Sequence, residues 1–212
     1  MLKNARLKFR NKPYTNSLWC IYEKTLVNTF KIELIDIHWI DKIDDQTDLC
    51  PHGNVKVTLG NETIVDKNEE MDHWNLRAMG MHLLRTLKEN HNNKKLVGDH
   101  LIPCCGHHID YLENEPNVYL QGCFTGHNFW VKHIDKNVEI TTETGKEKIL
   151  LDFETYKNEI LEFIDKVSDF YSQSLPRKLP EDEYDKIAYS KFWKEWNERR
   201  SEWKKNAPQQ RI

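Results

Sequence analysis

The pattern of apolar and polar positions predicts strands in the first third of the chain. The segment Phe30–Ile40 is rich in β-branched and aromatic side chains, which is typical of a strand. Two further apolar runs, residues 54–59 and 62–65, flank Gly60-Asn61, a pair that readily reaches positive φ angles. We therefore expect a β-hairpin that turns at these two residues.

A helical period follows the hairpin. Six apolar or small side chains recur with the spacing i, i+3, i+4, i+7, i+8 and i+11, namely Leu76, Met79, Gly80, Leu83, Leu84 and Leu87. Asp72 is the predicted N-cap of this helix. Because Arg77, Arg85 and Lys88 lie off the apolar stripe, we expect them on the solvent-facing side.

The second half of the chain predicts an antiparallel meander between Asn117 and Asp152. Alternating apolar segments are separated there by turn signals at Pro116-Asn117, Gly126, Lys136-Asn137 and Thr144-Gly145. A helix capped by Asp152 follows, and it is expected to end near Ser174 because two prolines lie just beyond.

The last predicted helix begins near Pro180, with acidic residues in its first turn and basic residues in its last turns, which matches the helix dipole. One face carries Tyr189, Phe192, Trp193, Trp196 and Trp203. Glutamates interleave with the basic residues, which favours a helix docked by its aromatic face over one that binds nucleic acid. Aromatic side chains left uncovered would instead anchor a partner protein or form a homodimer.

These elements predict an α+β fold in which an antiparallel β-sheet, a meander, packs against one central helix and two C-terminal helices. The expected organisation is a basic N-terminal arm at residues 1–28, an α+β core domain at 29–178, and a C-terminal Trp-rich helix and tail at 179–212.

Composition narrows the class of protein. The 212 residues are 38% hydrophobic and include only 8 Gly and 7 Pro, which excludes disordered and collagen-like chains. No apolar run reaches the roughly 18 residues that a membrane span needs, and no secretory signal pattern opens the chain, so we expect a cytoplasmic protein. The five cysteines are odd in number and include an adjacent pair, which favours free thiols or metal ligands over disulfides.

Charge is unevenly distributed. Residues 1–28 carry six basic side chains against one acidic, residues 189–212 carry seven against three, and residues 29–188 carry 18 against 30. An acidic body argues against a broad nucleic-acid surface, because such a surface needs clustered positive charge. It suits a basic protein partner, although a simply solvated acidic surface is the alternative.

Two short segments, residues 48–53 and 100–108, concentrate the soft metal ligands. Each places Pro beside Cys and Gly next to a ligand-type residue, which are the parts of a tight turn. One Cys–His pair has C-x-x-H spacing and the other the tighter C-x-H spacing. Together they predict a tetrahedral S2N2 site, for which zinc is the natural ion. The predicted ligands are Cys50, His52, Cys104 and His107. Further candidates are His108, His127 and His133. The alternative is that these cysteines are small core residues and these histidines are ordinary.

Catalysis has less support, because H-E-x-x-H, P-loop, G-x-G-x-x-G and G-x-S-x-G motifs are all missing from the sequence. A nucleophilic Cys104 or Cys105 activated by the neighbouring His107 or His108 is one hypothesis. A zinc-dependent hydrolase is another, and it would need an open coordination position. Its candidate general bases are Asp48, Glu70 and Asp99.

Three segments resemble a group of short uncharacterised bacterial proteins: the Trp74-Asn75-Leu76-Arg77-Ala78 helix up to Leu87, the His100–His108 segment, and Phe192-Trp193-x-x-Trp196. The resemblance spans about residues 30–200 and implies a bacterial cytoplasmic domain, without an activity or known site residues. The acidic body, the missing catalytic motifs and the aromatic face of the last helix favour a protein-interaction module of the immunity or antitoxin type with a possible structural zinc site. The alternative is the zinc-dependent hydrolase.

Overall fold

The computed structural model of the chain describes residues 29–66 and 73–204, and it confirms the α+β class. The predicted N-terminal arm, Cys20, Glu70 and Asp72 lie outside the described residues. Twelve strands are described: β1 (Phe30–Leu34), β2 (His52–Gly53), β3 (Val55–Leu59), β4 (Glu62–Val65), β5 (Trp74–Asn75), β6 (Ile102–Pro103), β7 (Ile109–Tyr111), β8 (Val118–Leu120), β9 (Gly126–His127), β10 (Phe129–Ile134), β11 (Asn137–Thr142) and β12 (Lys148–Asp152). The described helices are α1 (Leu76–Thr86), α2 (Phe153–Gln173) and α3 (Glu183–Trp203).

The strands form several small antiparallel sheets where one meander was expected. Sheets β1-β3-β4 and β10-β11-β12 have three strands each, and β2-β5, β6-β9 and β7-β8 are two-stranded pairs. The hairpin at Gly60 is confirmed, with φ of 59° at this glycine. The meander is confirmed from Phe129 to Asp152 but is wrong for Val118–Leu120, which pairs with the earlier strand β7. Alternation along a strand identifies its two faces and carries little information about its partner.

Helix α1 lies at the centre of the molecule and is buried on every side. Asn75 caps it, since its Oδ1 accepts a hydrogen bond from the Ala78 amide at 2.9 Å. All eleven residues of the helix are buried, including Arg77 and Arg85 at 1% and 7% exposure. The prediction that these two arginines face solvent is wrong, because α2, α3 and β6 all pack against α1. Lys88, beyond the helix end, is exposed as predicted.

Helices α2 and α3 cover α1. The predicted cap of α2 is confirmed, because Asp152 Oδ1 accepts a hydrogen bond from the Thr155 amide at 2.9 Å, and the helix ends at its C-cap Ser174. Helix α3 begins at Glu183, three residues after Pro180, with Asp182 as its N-cap. Among these residues no helix is both long enough and apolar enough to cross a membrane.

The aromatic face of α3 is covered by the domain itself. Tyr189, Phe192, Trp193 and Trp196 are buried, and Trp203 is half-buried against Phe153 at 5.3 Å between ring centroids. Gly80 on α1 allows this close approach, because a Cβ at that position would lie 2.4 Å from the Trp196 ring. The docked helix is thus the observed arrangement, and these buried rings are not an exposed anchor for a partner.

His82 is a buried neutral histidine in the middle of α1. Its Nδ1 lies 2.6 Å from the His100 carbonyl oxygen, so Nδ1 carries the proton and donates it. Burial lowers the pKa of His82 to about 3 from its ordinary value of 6.5. Below pH 6.5 the unfolded chain therefore binds one more proton here than the folded chain does. The stability contributed by the neutral ring is complete above pH 6.5 and is lost as the pH falls from 6.5 towards 3.

We expect His82 to make the protein acid-sensitive. Between pH 6.5 and about pH 5, this one group should lower the free energy of unfolding by about 1.5 to 2 kcal/mol. His82→Asn keeps a donor for the His100 carbonyl but does not titrate, so urea unfolding across this range should show a smaller pH dependence in the variant. If the free energy of unfolding depended equally on pH in the two proteins, His82 would not be the group responsible, since the other titrating groups are common to both.

Candidate metal centre

Two loops bring soft ligands to the N-terminal end of α1. Cys50 precedes β2, and His52 opens it, held between two neighbouring strands by backbone hydrogen bonds to His38 and by pairing with Asn75. The Leu76 amide donates to the Pro51 carbonyl at 3.1 Å, which ties the Cys50–His52 segment to the first turn of the helix. His107 comes from the loop between β6 and β7. The C-x-H segment is therefore rigidly placed on the helix start.

Three ligand atoms meet at this point. One ring nitrogen of His52, one of His107 and the Cys50 Sγ all lie within 4.8 Å of one another. In a tetrahedral zinc site such atoms are about 3.3 to 3.8 Å apart, so small side-chain rotations would complete the geometry. Cys50 and His52 are buried, whereas His107 is exposed. The site is thus closed on the protein side and open towards solvent at His107.

Both imidazoles are held in the neutral form that binds metals. The pKa of His52 is lowered to about 4, mainly by burial and also by the nearby His107 and His73. Burial, followed by the Arg77 charge, also lowers the pKa of His107. Nδ1 of His52 is buried and has no hydrogen-bond partner among the described residues. A buried nitrogen without a partner is uncommon in proteins, and a bound metal ion would satisfy it.

The Cys50 thiol needs a metal to ionise. Burial raises its pKa to about 11, although Arg77 and the Asn75 amide oppose this effect. The free thiol is therefore protonated at neutral pH, which makes it a weak nucleophile on its own. A divalent ion that binds the sulfur would displace this proton, so metal binding at this site should release a proton.

Arg77 links the two ligand-bearing loops. Its guanidinium donates to the Leu49 carbonyl at 3.3 Å in the first loop, and to the Gly106 and His107 carbonyls at 2.9 and 3.0 Å in the second. Gly106 has φ of 150°, and a Cβ there would lie 2.5 Å from the Ala78 Cβ. Glycine thus lets the second loop approach α1 closely enough for Arg77 to hold it.

Two of the three proposed general bases lie within the described residues, and both accept hydrogen bonds from backbone amides. Asp48 accepts hydrogen bonds from the Cys50 amide at 3.0 Å and from the Ile40 amide at 2.7 Å, so it shapes the turn before Cys50. Asp99 accepts from the Gly122 amide at 3.3 Å. Asp48 remains close enough to favour protonation of His52 and His107 electrostatically.

Cys104 is placed in a different group from the other predicted ligands. It lies with Cys105 and Cys123, whose Sγ atoms are all within 4.8 Å of one another, while Cys50, His52 and His107 form their own cluster. The structure therefore brings together three of the four predicted ligands. The Cys104 amide is held by its hydrogen bond to the Thr125 carbonyl, and the positive φ at Gly106 then turns the chain, so Cys104 and His107 lie in different clusters.

The remaining candidate histidines have other partners. His108 Nε2 lies 3.2 Å from an Asp110 carboxylate oxygen, His127 stacks edge-on against Trp74, and His133 Nε2 lies 2.9 Å from the Thr86 carbonyl oxygen. His73, whose ring centroid lies 5.4 Å from that of His52, is a further nearby imidazole that the sequence pattern does not predict. His73 stands outside both ligand-rich segments, so no spacing rule indicates it.

A cleft opens beside His107 towards α3. Its lining includes Leu49, Arg77, His107, His108, Asp185 and Tyr189. The exposed ligand of the cluster is therefore reachable from a concave surface that carries both polar and aromatic side chains.

Comparisons with protein-family models, with curated proteins and with solved structures found no match to this chain. The resemblance to short bacterial proteins thus stays a prediction, and the arrangement of Cys50, His52 and His107 is the observation from which a function can be argued.

Proposed function

We propose that the protein is a zinc-dependent hydrolase whose ion is bound by Cys50, His52 and His107. One observation carries the proposal: among the described residues, three zinc-type ligand atoms converge at a site that is buried on one side and exposed on the other. Structural zinc sites are normally enclosed by four protein ligands, whereas catalytic sites have three and leave a position for water or substrate.

The donor set supports zinc over other ions. One thiolate and two neutral imidazoles are borderline-soft ligands, which suit Zn²⁺ better than Mg²⁺ or Ca²⁺. The lowered pKa values of both histidines keep their ring nitrogens available at neutral pH. Zinc would supply a Lewis acid that polarises a carbonyl or phosphoryl oxygen and acidifies a bound water.

The cleft supports a reaction at the metal. His107, at its wall, is the exposed ligand, so a substrate held there would lie next to the open side of the site. Leu49 and Tyr189 offer apolar contacts to such a substrate, and His108 and Asp185 offer polar ones.

Zinc content of matched variants is the first test. We expect His107→Ala and Cys50→Ser to lose one zinc equivalent relative to the full-length wild type, measured by plasma mass spectrometry after purification without added metal. His108→Ala is the matched control, because this neighbour is also an exposed histidine but lies outside the cluster. Equal zinc content in His107→Ala and His108→Ala would contradict the proposal.

An interaction protein with structural zinc is the second candidate, and three observations favour it. The middle of the chain is acidic, and exposed apolar side chains lie on adjoining segments at Ile40, Ile43 and Leu175. His73, near His52, offers a further imidazole that would close the site. An immunity or antitoxin-type inhibitor of a basic protein would have this combination of an acidic surface and a closed structural metal.

Coordination number separates the two candidates. Cobalt substitution gives an absorption spectrum that differs between four protein ligands and three ligands plus water. For the hydrolase we expect a spectrum unchanged in His73→Ala and perturbed by added azide, together with ester, phosphoester or peptide cleavage that chelator abolishes and zinc restores. Loss of the cobalt spectrum in His73→Ala, with no response to azide, would favour the structural role.

A further inference from the structure

A second cluster of metal-type ligands lies outside the site described above. Cys104 and Cys105 follow β6, and Cys123 precedes β9. These two strands pair antiparallel, with Ile102 opposite His127, and the Cys104 amide extends the ladder by donating to the Thr125 carbonyl at 3.2 Å. The ladder therefore fixes the distance between the adjacent cysteine pair and the third cysteine.

The three thiols converge without being bonded. All three Sγ atoms lie within 4.8 Å of one another, and the Cys105 and Cys104 Sγ atoms are 3.7 Å apart, far beyond the S–S bond length of about 2.05 Å. Each cysteine is free and half-buried. The thiols are thus close enough for one ion and accessible enough for it to enter.

Only sulfur donors form this cluster among the described residues, since no histidine or carboxylate belongs to it. Thiolates without nitrogen or oxygen ligands select soft ions, and three of them match the trigonal coordination that Cu(I) accepts. Zinc, by contrast, prefers a fourth ligand.

We propose that Cys104, Cys105 and Cys123 form a trithiolate site for a soft monovalent cation of the Cu(I) class, separate from the Cys50–His52–His107 centre. Binding is a ligand exchange: three sulfur–copper bonds form, the thiol protons leave to solvent, and no electron is transferred. The exposed loop that carries Cys123, with Phe124 fully in solvent, gives the ion a direct route to the sulfurs.

The test is a Cu(I) titration of the reduced full-length protein under argon, with bicinchoninate as the coloured competitor. We expect one Cu(I) equivalent to be withdrawn from the competitor by the wild type and by Cys50→Ser. Cys123→Ser and Cys105→Ser should bind at least about 100-fold more weakly, because even outer-sphere changes alter metal affinity by about 10 to 100-fold.

Each other outcome would overturn the proposal. Wild-type affinity in Cys123→Ser, loss of Cu(I) binding in Cys50→Ser, or no competition by the wild type would show that the trithiol cluster is not the site. Circular dichroism checks that the serine variants fold. Zinc content of Cys123→Ser, measured in parallel, should match the wild type, so failure of the copper site and failure of the zinc site are distinguishable.

Discussion

Arg77→Met is expected to reduce zinc affinity by about 10 to 100-fold and to lower the free energy of unfolding by about 3 kcal/mol. The side chain contacts neither Cys50 nor a ring nitrogen of His107 by hydrogen bond, and it joins the loops that carry them through three carbonyls. Without the guanidinium, the Gly106 and His107 carbonyls lose their donor and the second loop loses its tie to the first. The measurement is zinc competition with a chromophoric chelator, alongside urea unfolding.

Two control variants separate positioning from charge and from general stability. Arg77→Lys keeps the positive charge but not the planar fork that reaches several carbonyls, so it should also weaken zinc binding. Tyr171→Phe removes the other hydrogen bond to the Leu49 carbonyl, 2.8 Å long, and should cost about 1 kcal/mol without changing zinc affinity. Normal zinc affinity in Arg77→Lys would show that the charge of Arg77, and not its hydrogen bonds, matters to the metal.

The elements that the sequence predicts well are those whose causes are local. Gly60 fixes the hairpin turn through its own φ angle, and Asp152 caps α2 through a hydrogen bond to a residue three positions on. The apolar stripe of α1 likewise predicts the helix, because its spacing depends only on the helical period. The burial of α1 on every side could not be predicted in this way, because it depends on segments that are distant in sequence. Arg77 and Arg85 can be buried because carbonyls and a carboxylate from distant segments accept their hydrogen bonds.

In the candidate site, too, the features with local causes could be predicted and those that depend on distant segments could not. Cys50 and His52, which the C-x-H spacing pairs, lie close together in the structure, since both lie on one short segment next to β5. The C-x-x-H spacing does not pair Cys104 with His107, because a knuckle forms only if the intervening backbone folds back on itself. Here β6 continues through Cys104 towards Thr125, and Gly106 then turns the chain towards His52. This separation depends on pairing between segments more than 20 residues apart, such as Ile102 with His127, and the spacing of the ligands along the chain does not indicate it.

Arg85→Met is expected to lower the free energy of unfolding by about 3 to 5 kcal/mol. Arg85 and Glu195 are both buried and share two hydrogen bonds of 2.8 and 2.9 Å, and Arg85 also donates to the Val97 and Val118 carbonyls. Burial alone would raise the pKa of Glu195, but its hydrogen bonds and neighbouring charges hold it below the ordinary value, so the carboxylate is ionised. Removing Arg85 leaves that charge buried with Arg199 as its remaining cationic partner.

Lys88→Met is the matched control. Lys88, just after α1, forms an ion pair of 2.8 Å with Glu202 of α3, and both side chains of this pair are exposed to solvent. Its cost should stay below about 1 kcal/mol, because water screens exposed pairs. The double variant Arg85→Met, Glu195→Met should be more stable than Arg85→Met, since it removes the buried carboxylate that has lost its main partner. Urea unfolding at neutral pH tests all three. Equal losses in Arg85→Met and Lys88→Met would mean that α3 is not held to α1 by a buried ion pair, and that its aromatic face alone fixes it there.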